Sequence, residues 1–366
     1  MTSKPERKRL RWAISAASCM IALTAVTAFG GGEDTSSSTT TSGAPALDSQ
    51  RAIDLQSHRG GRGLLTEESL AAYAHSLELG VSTLELDIVL TADRVPVIWH
   101  DPKIQADKCT DTAPAFANDP QFPYVGKLLH ELSYDQVRTV NCSKTLPNFP
   151  GQQSVPNNRI ARLPELFDLV KSYPGAFETI RYNIETKIEA EHPEQTAAPQ
   201  EFVDVILDAV NRAGAADKVE IQSFDWSSLP LVKAKNAAIP TVALYDETTF
   251  KAGSRWLGPV RYEDHVDDPL GAIAALGANV SSPSYVPAEN SPAKFGEPGF
   301  RFTADAEYVR KAHAKGLKVV PWTLNDEATI AAQLDTGVDG IITDYPDRGR
   351  KALESKGLPL PASYRK

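Results

Sequence analysis

Thr83-Leu84-Glu85-Leu86-Asp87-Ile88-Val89-Leu90 alternates apolar with acidic side chains, the period of two that a β-strand imposes. Leu84, Leu86 and Ile88 share one face and Glu85 and Asp87 the other. The following Thr91-Ala92-Asp93-Arg94 is too short for a helical crossover, so residues 95–99 return antiparallel as a hairpin. Counting back about that turn sets His100, in Trp99-His100-Asp101, roughly beside Asp87. An acid pair on one strand is by itself most often a salt-bridged surface, so its meaning rests on what the chain brings near it.

With this segment (83–87), eight apolar strand candidates can be read, the others at 53–57, 180–186, 219–223, 241–244, 278–281, 318–322 and 340–343. Helix-like runs at 69–79, 201–213, 304–314 and 326–335 lie between several of them, with Gly80, Gly214, Gly316 and Gly337 as C-terminal stops. Alternating strand and helix over this length predicts an α/β fold, a (β/α)₈ TIM barrel. The polar motif residues fall at strand C-terminal ends, where such barrels keep their active sites. Fold alone names no function. Residues 102–162 break the rhythm and are rich in Pro, Asn, Asp and aromatic residues. They predict an inserted cap after the hairpin that follows strand 2, close to the mouth of the barrel.

A third acid appears in Tyr182-Asn183-Ile184-Glu185-Thr186-Lys187, where alternation puts Asn183, Glu185 and Lys187 on one face. Glu85, Asp87 and Glu185, with no nearby Cys or His ligand pair, make an oxygen-only donor set. Such a set suits one hard divalent cation, Ca²⁺ or Mg²⁺, rather than Zn²⁺. Arg59, in Ser57-His58-Arg59-Gly60, and Lys187 are then placed to hold phosphate oxygens. His58 and His100, with unperturbed pKa values near neutrality, suit proton transfer on opposite sides of phosphorus, one as base and one as acid. Either water or a neighbouring hydroxyl of the substrate can be the attacking group.

At these residues the chain resembles the glycerophosphodiester phosphodiesterases, over 54–350. The matching motifs are His58-Arg59-Gly60, Glu85-Leu86-Asp87, His100-Asp101, Glu185-Thr186-Lys187, Gln222-Ser223-Phe224, Pro321-Trp322-Thr323 and Gly340-Ile341-Ile342-Thr343-Asp344-Tyr345-Pro346. Where the family usually shows Pro-Glu-Asn-Thr, this chain has Thr66-Glu67-Glu68-Ser69, which keeps the acid and replaces the amide. The resemblance implies metal binding by Glu85, Asp87 and Glu185, and proton exchange by His58 and His100. It implies substrate contacts from Arg59, Lys187, Gln222 and Trp322, with Glu67 in support. The expected reaction is metal-dependent hydrolysis of glycerophosphodiesters to glycerol 3-phosphate and an alcohol. The alternative is a phospholipase D-like enzyme acting on lysophospholipids or sphingomyelin, and a non-catalytic binding module is a third class.

Lys4, Arg7, Lys8, Arg9 and Arg11 precede an apolar run at 12–29, with Ala28 available for cleavage, so 1–29 reads as a secretory signal. An uncleaved amino-terminal membrane tether is the alternative. Cys19 lies within this leader, and 30–50 is a Ser/Thr-rich disordered linker. The phosphodiesterase domain is expected at 51–355 and a tail at 356–366. Export predicts a secreted or extracytoplasmic protein and a Cys109–Cys142 disulfide within the insert, worth roughly 3–4 kcal/mol in the loop-entropy model. At 366 residues and 42% hydrophobic content the chain can bury one large domain's core. A net charge of −9 argues against a nucleic-acid partner, which needs clustered Lys and Arg. There is no Gly-x-x-x-x-Gly-Lys phosphate loop and no internal repeat. His75, His130, His192, His265 and His313 lack comparable neighbours and read as surface or structural.

Overall fold

The computed structural model describes residues 51–287 and 293–366. The expected leader 1–29, with Cys19, and the linker 30–50 lie outside the described residues. Among the described residues, no helix is long and apolar enough to cross a membrane.

The described residues form nine strands: β1 (Asp54–Ser57), β2 (Thr83–Leu90), β3 (Pro96–Ile98), β4 (Arg181–Thr186), β5 (Val219–Ser223), β6 (Thr241–Tyr245), β7 (Val280–Pro283), β8 (Lys318–Val319) and β9 (Gly340–Thr343). All except β3 run parallel, in the order β8-β7-β6-β5-β4-β2-β1-β9. The seam between β8 and β9 is drawn together by the Asp339 N–H on Val319 O (2.8 Å) and the Ile342 N–H on Pro321 O (3.0 Å). The result is a nearly closed α/β barrel.

Two strands differ from expectation for local reasons. Ala278 is used to end the preceding helix, its N–H reaching Ile273 O, so β7 begins only at Val280. The strand expected at 318–322 is ladder-paired only through Val319: the Val320 and Trp322 N–H groups still reach Ser281 O and Pro283 O, but Pro283 has no N–H to return from β7, and Pro321 has none to offer β9. The hairpin forms as expected, but Leu90 pairs with Pro96, so the loop spans 91–95. That register brings the Trp99 N–H onto Asp87 O at 3.0 Å. Trp99 therefore lies opposite Asp87, and His100 falls one residue beyond the position counted for it.

The even-numbered side chains of β2 pack outward. Leu84, Leu86, Ile88 and Leu90 enter the main core with Tyr73 and Leu77 of the helix Leu70–Leu79. The helix Pro199–Ala213 contributes Phe202, Val203, Ile206, Leu207 and Val210, the apolar stripe of an amphipathic helix. It ends at Gly214, whose φ of +71° is a left-handed stop that glycine adopts without steric cost. Inside the barrel the strands divide the work. Val242, Val280, Val320 and Ile342 make a small apolar cluster, while β1, β4 and β5 contribute the amides Gln56, Asn183 and Gln222.

The insert 102–162 has a core of its own. The odd face of β2, acidic at Glu85 and Asp87, becomes apolar at Val89, which packs with Val97, Trp99, Ile104, Tyr124, Leu129 and Ile160. One strand thus supplies acids to the barrel interior and a foundation for the cap. Cys109 and Cys142 are bonded. Gln152 donates to the carbonyls of Arg62 (2.7 Å) and Leu65 (3.2 Å), seating the cap on the loop after β1. The tail 356–366 is also fastened down, with the Tyr364 N–H on Leu77 O at 2.9 Å.

The chain contains three cysteines. Titration of the denatured, unreduced full-length chain is expected to find one reactive thiol, that of Cys19, with two more released by reduction. Replacing Cys109 and Cys142 by Ser is expected to lower unfolding stability by roughly 3–4 kcal/mol, read from urea melts.

Candidate active site

Strand register brings the three acids together. Asp87 pairs with Glu185, Glu85 with Asn183, and Glu185 with Gln222, so carboxylates from β2 and β4 stand at neighbouring levels inside the barrel mouth. One oxygen from each of Glu85, Asp87 and Glu185 lies within 4.8 Å of the others, and all three residues are buried. Neither oxygen of Asp87 makes an aligned hydrogen bond, although cations stand near both.

Two cations face this cluster. Arg59 sits in a short turn directly after β1 with φ +50°, a left-handed conformation costing about 1–2 kcal/mol in a non-glycine residue. The turn aims the Arg59 N–H at Glu85 Oε2 (2.8 Å), and its Nε lies 3.0 Å from Asp87 Oδ2. Lys187 Nζ is 2.7 Å from Glu185 Oε1 and 4.0 Å from Asp87 Oδ1. Burial pushes the Asp87 carboxyl up, but Lys187 and Arg59 outweigh it and hold Asp87 well below the usual range. Glu85 is raised by burial and by its neighbours Asp87 and Glu185. Burial also pushes Glu185 up, to about 7, with Lys187 opposing and Asp87 adding to the rise. Three buried carboxylates crowd together with too little positive charge among them, and a group with oxygens free of aligned donors is what a hard cation requires. The residues present therefore fit a divalent metal ion.

The two histidines flank the cluster, and each is gripped at Nδ1 by an aspartate. His58 Nδ1 is 2.5 Å from Asp344 Oδ1, and its Nε2 lies 4.0 Å from Glu85 Oε2. Asp344 also accepts from Arg62 Nε (2.8 Å) and Asn325 Nδ2 (2.7 Å). His100 Nδ1 is 3.2 Å from Asp101 Oδ1. Burial lowers the His100 pKa, with Arg59 and Lys187 adding to the shift, to about 3, so the ring is neutral at pH 7. Glu67, buried, lies between Arg59 and Lys108: its Oε2 is 3.4 Å from Arg59, and its Oε1 is 2.7 Å from Lys108 Nζ. Glu68, which replaces the family's amide, is buried with both oxygens unpartnered; burial, then Asp87 and Glu67, raise its pKa well above the usual value.

A cleft of about 480 Å³ opens over this cluster and is lined by His58, Arg59, His100, Lys187, Gln222 and Trp322, among others. Trp322 and Phe224 pack edge to face at 5.4 Å and form an apolar wall. Gln222, expected at the substrate, gives its Nε2 to Glu85 Oε1 at 2.6 Å. Behind it the amides continue downward. Asn183 Nδ2 donates to Gln222 Oε1 (3.1 Å) and to Gln56 Oε1 (2.8 Å), and Gln56 Nε2 donates to Asp54 Oδ2 (2.8 Å) and Glu220 Oε1 (3.2 Å). His75, His130, His192, His265 and His313 are absent from the cleft. Sequence reading assigned no role to Asp344, Asp101, Arg62 or Lys108. The two aspartates follow strand ends and stand within quoted motifs, a usable signal, whereas nothing near Lys108 in the sequence marks it.

Fold and site together define a barrel hydrolase of phosphodiesters. A sequence model of the Glycerophosphoryl diester phosphodiesterase family matches residues 58–348, and the chain belongs to that family. It is similar to a glycerophosphodiester phosphodiesterase from Bacillus altitudinis, 23% identical over 298 residues, covering 81% of this chain and 96% of that one. It is also similar to a human lysophospholipase D, 24% identical over 313 residues, covering 82% of this chain and 85% of the other. A crystal structure from Silicibacter pomeroyi, provisionally described as a glycerophosphoryl diester phosphodiesterase, superposes with a TM-score of 0.68 at 27% identity, covering 84% of this chain and 95% of that one. An Oleispira antarctica phosphodiesterase solved with the product sn-glycerol-3-phosphate superposes with a TM-score of 0.58 at 17% identity, covering 83% of this chain and 97% of that one.

Asp344 is nearly fully buried, and although burial pushes its carboxyl up, His58 and Arg62 hold it below its ordinary value of 3.8 in the folded state. Its stabilising contribution is thus fully present above that value and is lost as pH falls. Asp344→Asn is expected to destabilise the protein by about 1.5–3 kcal/mol at neutral pH. The gap from wild type should narrow in acid, as followed by urea melts across pH.

Proposed function

We propose that this chain hydrolyses glycerophosphodiesters to glycerol 3-phosphate and an alcohol, using a divalent cation held by Glu85, Asp87 and Glu185 and acid–base catalysis by His58 and His100. The observation that carries this reading is the convergence of three buried carboxylates in a cleft lined by two imidazoles, each imidazole held by an aspartate at Nδ1. The carboxylate-only donor set suits Ca²⁺ or Mg²⁺. When bound, the cation would neutralise negative charge on the phosphoryl group. Arg59 and Lys187 would hold the remaining phosphate oxygens, and Trp322 with Phe224 would carry the alcohol portion.

Because Asp101 and Asp344 occupy the Nδ1 atoms, Nε2 of each ring is the atom available to substrate. Burial lowers the His58 pKa, but Asp344, 2.5 Å away, opposes the fall and can stabilise an imidazolium, so His58 is assigned to protonate the departing oxygen. His100, facing Arg59 and Lys187, disfavours a positive ring and is suited to take the proton of the attacking oxygen. Bond formation at phosphorus, cleavage of the ester P–O bond and the two proton transfers then balance. His58→Ala and His100→Ala are each expected to reduce turnover on alkyl diesters at least about a hundredfold. A p-nitrophenyl leaving group, which departs without protonation, should rescue the His58 variant and leave the His100 variant slow. Near-normal turnover in both variants overturns the assignment.

Glu185 is held above its ordinary value of 4.5, at about 7, so the folded, metal-free protein keeps a proton that the unfolded chain has released. Its stability contribution therefore falls as pH rises between those two values. A cation displaces that proton. Added Ca²⁺ or Mg²⁺ is expected to raise Tm more at about pH 8 than at about pH 5, and EDTA should abolish hydrolysis until the metal is restored.

The similarity to lysophospholipase D and the apolar wall of Trp322 and Phe224 support a second reading, in which the diester cleaved belongs to a lysophospholipid. Assays of glycerophosphocholine against lysophosphatidylcholine separate the two. The disulfide in the cap supports an extracytoplasmic location, since such bonds persist in oxidising compartments.

A further inference from the structure

The cap meets the catalytic cluster through a partly buried lysine. Lys108 stands next to Cys109, and its side chain is only 13% exposed. The Lys108 and Cys109 N–H groups both turn onto Gln105 O, at 3.2 and 2.9 Å, and the Lys144 N–H reaches Lys108 O at 3.3 Å. The disulfide to Cys142 fixes the next residue. From this braced turn Lys108 Nζ reaches 5.3 Å from the centre of the Trp99 ring and bridges two carboxylates, Asp101 Oδ2 and Glu67 Oε1, each at 2.7 Å.

The two arms end on different groups. Asp101 turns its other oxygen to His100 Nδ1, and Glu67 turns its other oxygen to Arg59. They are unequally supported. Glu67 would keep Arg59 and Arg62, at 3.4 and 3.5 Å, if Lys108 were removed. Among the described residues, Asp101 has His100 and Lys108 as its only ion-pair partners, so without Lys108 no second cation orients it. A free carboxylate can rotate, and the His100 ring then loses the acceptor that fixes its Nδ1–H tautomer.

We infer that Lys108 is a positioning residue for the reaction, acting on His100 through Asp101 and linking the cap to the proton-transfer apparatus. This rests on the reading that His100 transfers a proton. The unequal support sets the kinetic signature: the arm toward phosphate binding survives, and the arm toward His100 fails. In Lys108→Met, kcat on glycerophosphodiesters is expected to fall by about 10–100-fold, the scale seen when a carboxylate orienting a histidine is disturbed, with KM changed far less. Lys108→Arg keeps a cation between the two acids and should recover most of kcat. The ring ¹⁵N shifts of His100 provide a readout independent of turnover: one tautomer in the wild-type chain, a mixture in Lys108→Met and a single tautomer again in Lys108→Arg. Wild-type kcat together with unchanged His100 shifts in Lys108→Met overturns the inference, as does a loss confined to KM. If the wild-type chain hydrolyses no glycerophosphodiester, the functional reading fails, while the His100 shifts still decide whether Lys108 orients that ring.

Discussion

The Arg59 guanidinium, buried in the barrel mouth with Asp87 on one side and Glu67 on another, is the interaction around which the rest is arranged. Taking a cation and several carboxylates out of water costs several kcal/mol per ion, and mutual attraction offsets this only if the geometry is well satisfied. Here the geometry comes from four separate parts of the chain: the turn after β1, the odd face of β2, the end of β4 and the loop that carries Glu67. Removing Arg59 would leave Asp87 with Lys187, 4.0 Å away, as its remaining ion-pair partner. The scaffold can hold this cluster because the outward faces of the same strands bury Leu84, Leu86, Ile184 and Ile221 against the helices. Apolar burial outside the barrel supports charge burial inside it.

Much of this was legible in the chain. A period of two put Glu85 and Asp87 on one face, and the same rule placed Glu185 with Lys187. Parallel register then did what alternation implies, setting Asp87 level with Glu185. Strand β7 began late and β8 stopped early because a helix cap and prolines intervened, local effects that an apolar run does not advertise. A four-residue loop would set Ile98 opposite Asp87, and the five-residue loop sets Trp99 there, so His100 lies one residue past Asp87. Sequence separation hid the rest. Asp344 meets His58 across 286 positions, and Lys108 meets Glu67 through a cap whose path no periodicity predicts. Gln222 lines the cleft, and its amide also donates to Glu85, a contact that strand alternation alone does not specify.

The cap and barrel are less separable than the break in rhythm at 102–162 suggests. Val89 extends the acid-bearing face of β2 into the cap core, so the strand that supplies Glu85 and Asp87 is clamped at its far end by Trp99 and Ile104. Looseness in the insert would be felt at the carboxylates as well as at the entrance.

The row of amides inside the barrel has a consequence for how this protein can change. An amide side chain has a donor end and an acceptor end, and here Asn183 Nδ2 donates both ways, to Gln222 and to Gln56, which pass donors on to carboxylates at opposite ends, Glu85 on one side and Asp54 and Glu220 on the other. The orientation of both arms therefore depends on the central asparagine. Reversing Gln56 or Gln222 would set its donor end against that of Asn183, so residues that take no part in the chemistry are constrained in their evolution by the direction of their amides.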